Sequence, residues 1–179
     1  MPGLVLAIAA TAAADARQVS RETIHDERDF VLKDYCGVRG LTVEIRSVLD
    51  MRVHVVPHGT DRLAYFLQHG VTTEVITNPA TGRSLTSVTR VTEKDMRVTP
   101  NGDGTLTILV LATGNAVVYG PDGRAIARNP GQTRFKILVD HGGTPSDPSD
   151  DEFLGRLGVV KESTGRSDDF CKAAVSALS

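Results

Sequence analysis

Tryptophan is absent, and three Tyr with five Phe bring aromatic residues to only 4 % of the chain. Surfaces that stack bases are built on such rings, so their scarcity argues against a nucleic-acid or carbohydrate platform. A charge excess is missing too. Twenty Lys and Arg stand against 22 Asp and Glu, a net charge of −2, and that balance draws the chain to neither nucleic acid nor an anionic membrane. No apolar run reaches the ~20 residues that a membrane-spanning helix requires. Catalytic and metal signatures are also lacking: there is no C-x-x-C, H-E-x-x-H, G-x-S-x-G elbow, Walker A loop or dinucleotide fingerprint. No motif therefore supports an enzyme, and no cofactor is implied. The 15 Arg to 5 Lys reflect a high-GC coding bias.

What the chain does have is period-two alternation. Over 41–56, one set reads Val43, Ile45, Ser47, Leu49, Met51, Val53, Val55 and the other Glu44, Arg46, Asp50, Arg52, His54 among its members. That pattern puts one face of a β-strand on a core and the other in water. At about 3.3 Å per residue the run is too long to lie flat in a small domain, so it should coil.

Further strands are expected at 28–36, 62–77 (with Gly70 as a bulge or bend), 84–99, 105–113, 116–119, 124–128 and 132–140. Turn chemistry separates them at Asn78-Pro79-Ala80-Thr81-Gly82, Asn101-Gly102-Asp103-Gly104, Gly114-Asn115, Pro121-Asp122-Gly123 and Asn129-Pro130-Gly131. Short connections force antiparallel neighbours. The expectation is an all-β, antiparallel up-and-down β-barrel of about eight strands with a short C-terminal helix, a β-sandwich being the alternative. Two helix starts are read near the end, one at Ser149 with Asp150, Asp151 and Glu152, the other at Ser167 before 168–178.

The N-terminus carries an apolar run over 4–14 that ends in small residues, with Ala12-Ala13-Ala14 and Ala14-Asp15-Ala16 both fitting an A-x-A cleavage pattern. It lacks the positive residues that normally precede such a run. The reading is a secretory signal peptide over 1–16, a flexible lead-in over 17–27 and one domain over 28–179. Two cysteines, Cys36 and Cys171, in an exported chain read as a disulfide; two buried thiols are the alternative.

Lumen candidates for a small apolar ligand are Val43, Ile45, Leu49, Met51, Val53, Phe135 and Ile137. Asp147, Asp150 and Asp151 are calcium candidates by residue type, since calcium takes several oxygen ligands, but their spacing is not that of an EF-hand, and helix capping explains them as well. His54, His58 and His69 could meet at one barrel end around zinc or copper; scattered surface histidines are the plainer account.

The segments Asn101-Gly102-Asp103-Gly104-Thr105-Leu106-Thr107, Tyr119-Gly120-Pro121-Asp122-Gly123 and the tail from Ser163 to Cys171 resemble uncharacterised small secreted proteins of high-GC Gram-positive bacteria. The resemblance implies export and a shared fold, and supplies no catalytic residue. In strand pattern alone the chain is similar to calycin (lipocalin-like) and allene-oxide-cyclase-like barrels, and pattern is not function. The functional expectation is a secreted, non-enzymatic binding module whose partner is a small hydrophobic ligand. A solid-core structural or interaction domain is the first alternative, and a barrel enzyme acting on a small hydrophobic molecule the second.

Overall fold

Seven strands follow one another in a single antiparallel meander, in the order β1-β2-β3-β4-β5-β6-β7. They are β1 (Ser20–Leu32), β2 (Val43–His58), β3 (Leu63–Asn78), β4 (Arg83–Pro100), β5 (Thr105–Tyr119), β6 (Ala125–Asp140) and β7 (Glu152–Lys161), and helix α1 (Phe170–Leu178) ends the chain. This computed structural model describes residues 20–179; the expected signal peptide over 1–16 lies outside the described residues. The all-β, up-and-down architecture is as the alternation requires. Closure is not: β1 and β7 are the two edges of the sheet, which is an open curled sheet rather than a sealed barrel.

Strand register defines an inner face. Ile45 lies opposite Phe30 and Ile76, Ile76 opposite Leu85, and Val118 opposite Ser87 and Ala127. At this end the inner face is roofed by α1. Ala174 and Leu178 pack with Tyr35, Val43, Ile45, Ile76, Leu85, Val118 and Ala127 in one cluster, joined at its margin by Phe170. Asp169 caps the helix by accepting from the Lys172 amide. At the other end of α1 the Leu178 carbonyl accepts from Asn78 Nδ2 (3.0 Å) and Thr81 Oγ1 (2.9 Å), so the β3–β4 turn satisfies a carbonyl that the helix leaves open. The Cys36–Cys171 disulfide, with Cα atoms 5.4 Å apart, ties the helix start to the loop after β1.

A second cluster fills the opposite end: Val98, Leu106, Ile108, Val110, Ala112, Phe135 and Val139, with Leu63 and Tyr65 against it. A bulge at Asp95/Arg97 turns the last residues of β4 away from β3, whose pairing with β4 starts at Leu67. Tyr65 enters this opening, its hydroxyl accepting from the Val98 amide at 3.1 Å.

The structure changes several of the expected elements. β1 begins at Ser20, so residues 20–27, expected as a loose lead-in, are strand, while 35–37 form a 3-10 turn. Gly114-Asn115 and Asn129-Pro130-Gly131 are not turns, and β5 and β6 run through them with Gly114 opposite Gly131 and Asn115 opposite Pro130. Pro130 is tolerated because β7 pairs with β6 only from Arg134 onward. Arg128, two residues earlier on the same side, directs its amide and carbonyl outward to Asp168, so the N–H that Pro130 lacks would have pointed off the edge of the sheet. Gly70 is neither bulge nor bend but an ordinary ladder position opposite Met51 and Val91. Finally, the helix expected after Ser149 is one 3-10 turn, Pro148–Asp150, followed by β7.

Candidate functional surfaces

The seven lumen candidates do share the inner face. Val43, Ile45, Met51, Val53 and Phe135 are each at most 9 % exposed; Leu49 and Ile137 are half-buried. Val43 and Ile45 lie under α1 and Phe135 within the second cluster. Ile137 packs against that second cluster too, whereas Leu49, Met51 and Val53 belong to neither cluster.

Two open depressions lie on the sheet. One, of about 670 Å³, is lined by Asp50, Arg52, His69, Arg90, Thr92 and Asn115 over a floor of Met51, Gly70, Val91 and Gly114. Met51, Gly70, Val91, Gly114 and Gly131 form one row across the sheet, in step with the inner-face residues Ile45, Ile76 and Leu85, and three of the five are glycine. A Cβ on Gly114 would fall 2.5 Å from the Arg90 carbonyl oxygen, so the close approach of β4 and β5 there requires glycine. The other depression, about 590 Å³, lies at the β1–β3 end, between Phe30, Val31, Glu44, Arg46 and Val75. Of the lumen candidates only Met51 touches the first and only Ile45 the second.

The inner face also holds a buried carboxylate that the sequence reading missed. Asp95 is 7 % exposed. Its Oδ2 accepts from the Phe66 amide at 2.8 Å, standing in for the strand partner that the bulge removes. Burial pushes its pKa up to about 7; the Phe66 hydrogen bond opposes the rise and neighbouring Glu93 adds to it. Burial also raises Glu93, against the pull of the Arg156 guanidinium. Arg156 itself lies 4.0 Å over the Phe135 ring.

The calcium candidates are spoken for. Asp147 accepts from the Ser149 amide and Asp150 from the Thr144 hydroxyl. Asp151 is half-buried, and that burial, with neighbouring Asp150, pushes its pKa up to about 6. Among the described residues no group of three or more His, Cys, Asp or Glu is arranged to hold a metal ion. The three candidate histidines do not form a metal-holding group either: His58 leans on the Tyr65 ring at 4.7 Å, His69 bonds Thr92, and His54 lies in the ladder opposite Arg21 and Leu67.

Of the eleven exposed large apolar residues among those described, Val38, Val75, Met96 and Ile126 are scattered and seven stand on the edge strands. Phe30, Val31 and Leu32 on β1 are 39, 57 and 42 % exposed, and Leu154, Leu157, Val159 and Val160 on β7 are 47–55 % exposed. No helix among the described residues is long and apolar enough to cross a membrane. No protein-family model, curated protein or solved structure matches the chain.

Proposed function

We propose that the protein is a secreted, non-enzymatic interaction module with a solid interior, and that it works through contacts made at the open edges of its sheet. The observation that carries this reading is the distribution of apolar surface. Val43 and Ile45 are packed beneath α1 and Phe135 and Ile137 in the second cluster, while seven of the eleven exposed large apolar side chains among the described residues stand on β1 and β7. Isolated exposed apolar residues need no explanation, but a concentration of them at sheet edges marks an interaction surface. Export accounts for the Cys36–Cys171 disulfide, which an oxidising compartment preserves.

Native mass spectrometry of the protein recovered from its own host tests this against a small apolar ligand. The expected spectrum contains the bare chain and protein-sized increments. A single retained adduct of small-molecule mass would replace the interaction reading with a binding pocket on the inner face.

A further inference from the structure

One register row crosses all seven strands. It runs Arg21, His54, Leu67, Lys94, Leu111, Arg134, Lys161, each residue paired with the next. The row next to it holds Val53 and Ala112, whose buried side chains face inward, so the side chains of this row stand on the outer face. Two residues further along the strands the same face carries Thr23, Arg52, His69, Thr92, Thr113 and Gln132. On the other flank Arg97 and Lys136 stand either side of Leu109. These rows hold seven of the chain's 20 Lys and Arg and none of its 22 Asp and Glu, a local reversal of a net charge of −2. None of the seven side chains has an ion-pair or hydrogen-bond partner among the described residues, and the Nε–H of Arg134 is buried without an acceptor. Cations gathered in this way repel one another and hold counterions, which an anionic partner releases.

We infer that this face binds an acidic polysaccharide, laid across the strands along the basic rows. It is a second surface, apart from the sheet edges invoked above. Length selects a chain: seven strands at ~4.8 Å spacing carry the row over about 29 Å, beyond the reach of a small anion. Curvature selects a flexible one. The sheet curls about its inner face, so the row follows the outer curve, where a flat bilayer or a stiff DNA duplex meets only part of it. No exposed large apolar residue stands on these rows to enter a membrane, and no aromatic residue stands there to stack the bases of a single strand. Hydroxyl and amide groups interleave the cations instead, at Thr23, Thr92, Thr113 and Gln132. Beside them the depression of about 670 Å³ opens between Arg52, His69, Arg90 and Asn115. Sugar hydroxyls satisfy such groups, while sulfate or carboxylate groups on the same chain meet Lys and Arg. Asp50, the acid at that depression, is engaged by His25 Nδ1 at 2.8 Å.

Fluorescence anisotropy of a labelled heparin decasaccharide, titrated with the oxidised full chain, is the test. Binding is expected at low salt and should weaken as salt rises. Lys94→Glu and Arg52→Glu should each weaken it about tenfold, and both together more than either. Their melting curves should stay unchanged, because both side chains are exposed. Arg39→Glu makes the same change of charge in the turn before β2 and should alter the affinity less than about twofold. A neutral dextran of the same length, an oligothymidine, a short DNA duplex and phosphatidylglycerol vesicles should each bind at least about tenfold more weakly. A heparin fragment that does not bind, an Arg39→Glu loss equal to that of Arg52→Glu, or DNA or vesicles bound as tightly as heparin would each overturn the proposal. None of these readouts involves the sheet edges, so failure here leaves the native-mass result to judge the edge reading separately.

Discussion

Asp95 shows how one residue couples the shape of the sheet to pH. It supplies the acceptor that the bulge takes from Phe66, and burial raises its pKa from 3.8 to about 7. Between those values the folded state binds more protons than the unfolded one, so stability attributable to this group is fully present below about pH 4 and falls as pH rises through 7. Asp95→Asn keeps an oxygen for the Phe66 amide and removes the ionisation. It is expected to flatten the thermal-melting profile between pH 4 and 8 and to stabilise the protein at pH 8 by on the order of 2–4 kcal/mol; a variant that melts lower at pH 8 would contradict this. Gly114→Ala acts through sterics alone. The new Cβ would fall 2.5 Å from the Arg90 carbonyl oxygen, and urea unfolding should show a loss of about 1–3 kcal/mol.

Among the elements, α1 and its disulfide hold the open sheet at one end. The bridge closes a separation of 135 residues, and replacing both cysteines by Ser should cost about 4–5 kcal/mol in the chain-entropy description, read by urea denaturation. Leu178→Ala removes a fully buried side chain and should cost about 2–4 kcal/mol. How legible each element was in the sequence follows from how many of its faces are buried. β2, with Val43, Ile45, Met51 and Val53 buried and Glu44, Arg46, Asp50 and Arg52 exposed, announces itself by alternation. β1 does not, because it is an edge whose residues are nearly all exposed, and a strand wet on both faces has no apolar period to read. β5 and β6 look broken because each carries turn-forming residues. Those residues fall opposite one another in the ladder, a coincidence visible only once register is known. β7 hides behind a three-residue period that resembles neither strand nor helix, and the acids after Ser149 imitate a helix start. The C-terminal helix was plain, although its cap is Asp169 and not Ser167. Of the candidate site, the sharing of one face by Val43 to Val53 was readable from parity; that Val43 and Ile45 pack beneath α1 was not, since packing is set by segments far apart in sequence.

At the scale of the whole molecule, the account turns on an open sheet with a filled interior and available edges. Closing the meander into a barrel would place β1 beside β7, remove both edges and leave the lumen as the natural site. The open arrangement leaves the outer hydrogen-bonding rows of β1 and β7 without a strand partner among the described residues and gives β2 to β5 a neighbour on both sides, so the two architectures differ in how their edge amides exchange. Hydrogen exchange of the oxidised chain at high dilution tests the central claim most directly. The account predicts slow exchange throughout β2 to β5 and fast exchange at alternate amides along β1. Protection of β1 and β7 equal to that of the central strands would contradict it and establish a closed barrel in its place.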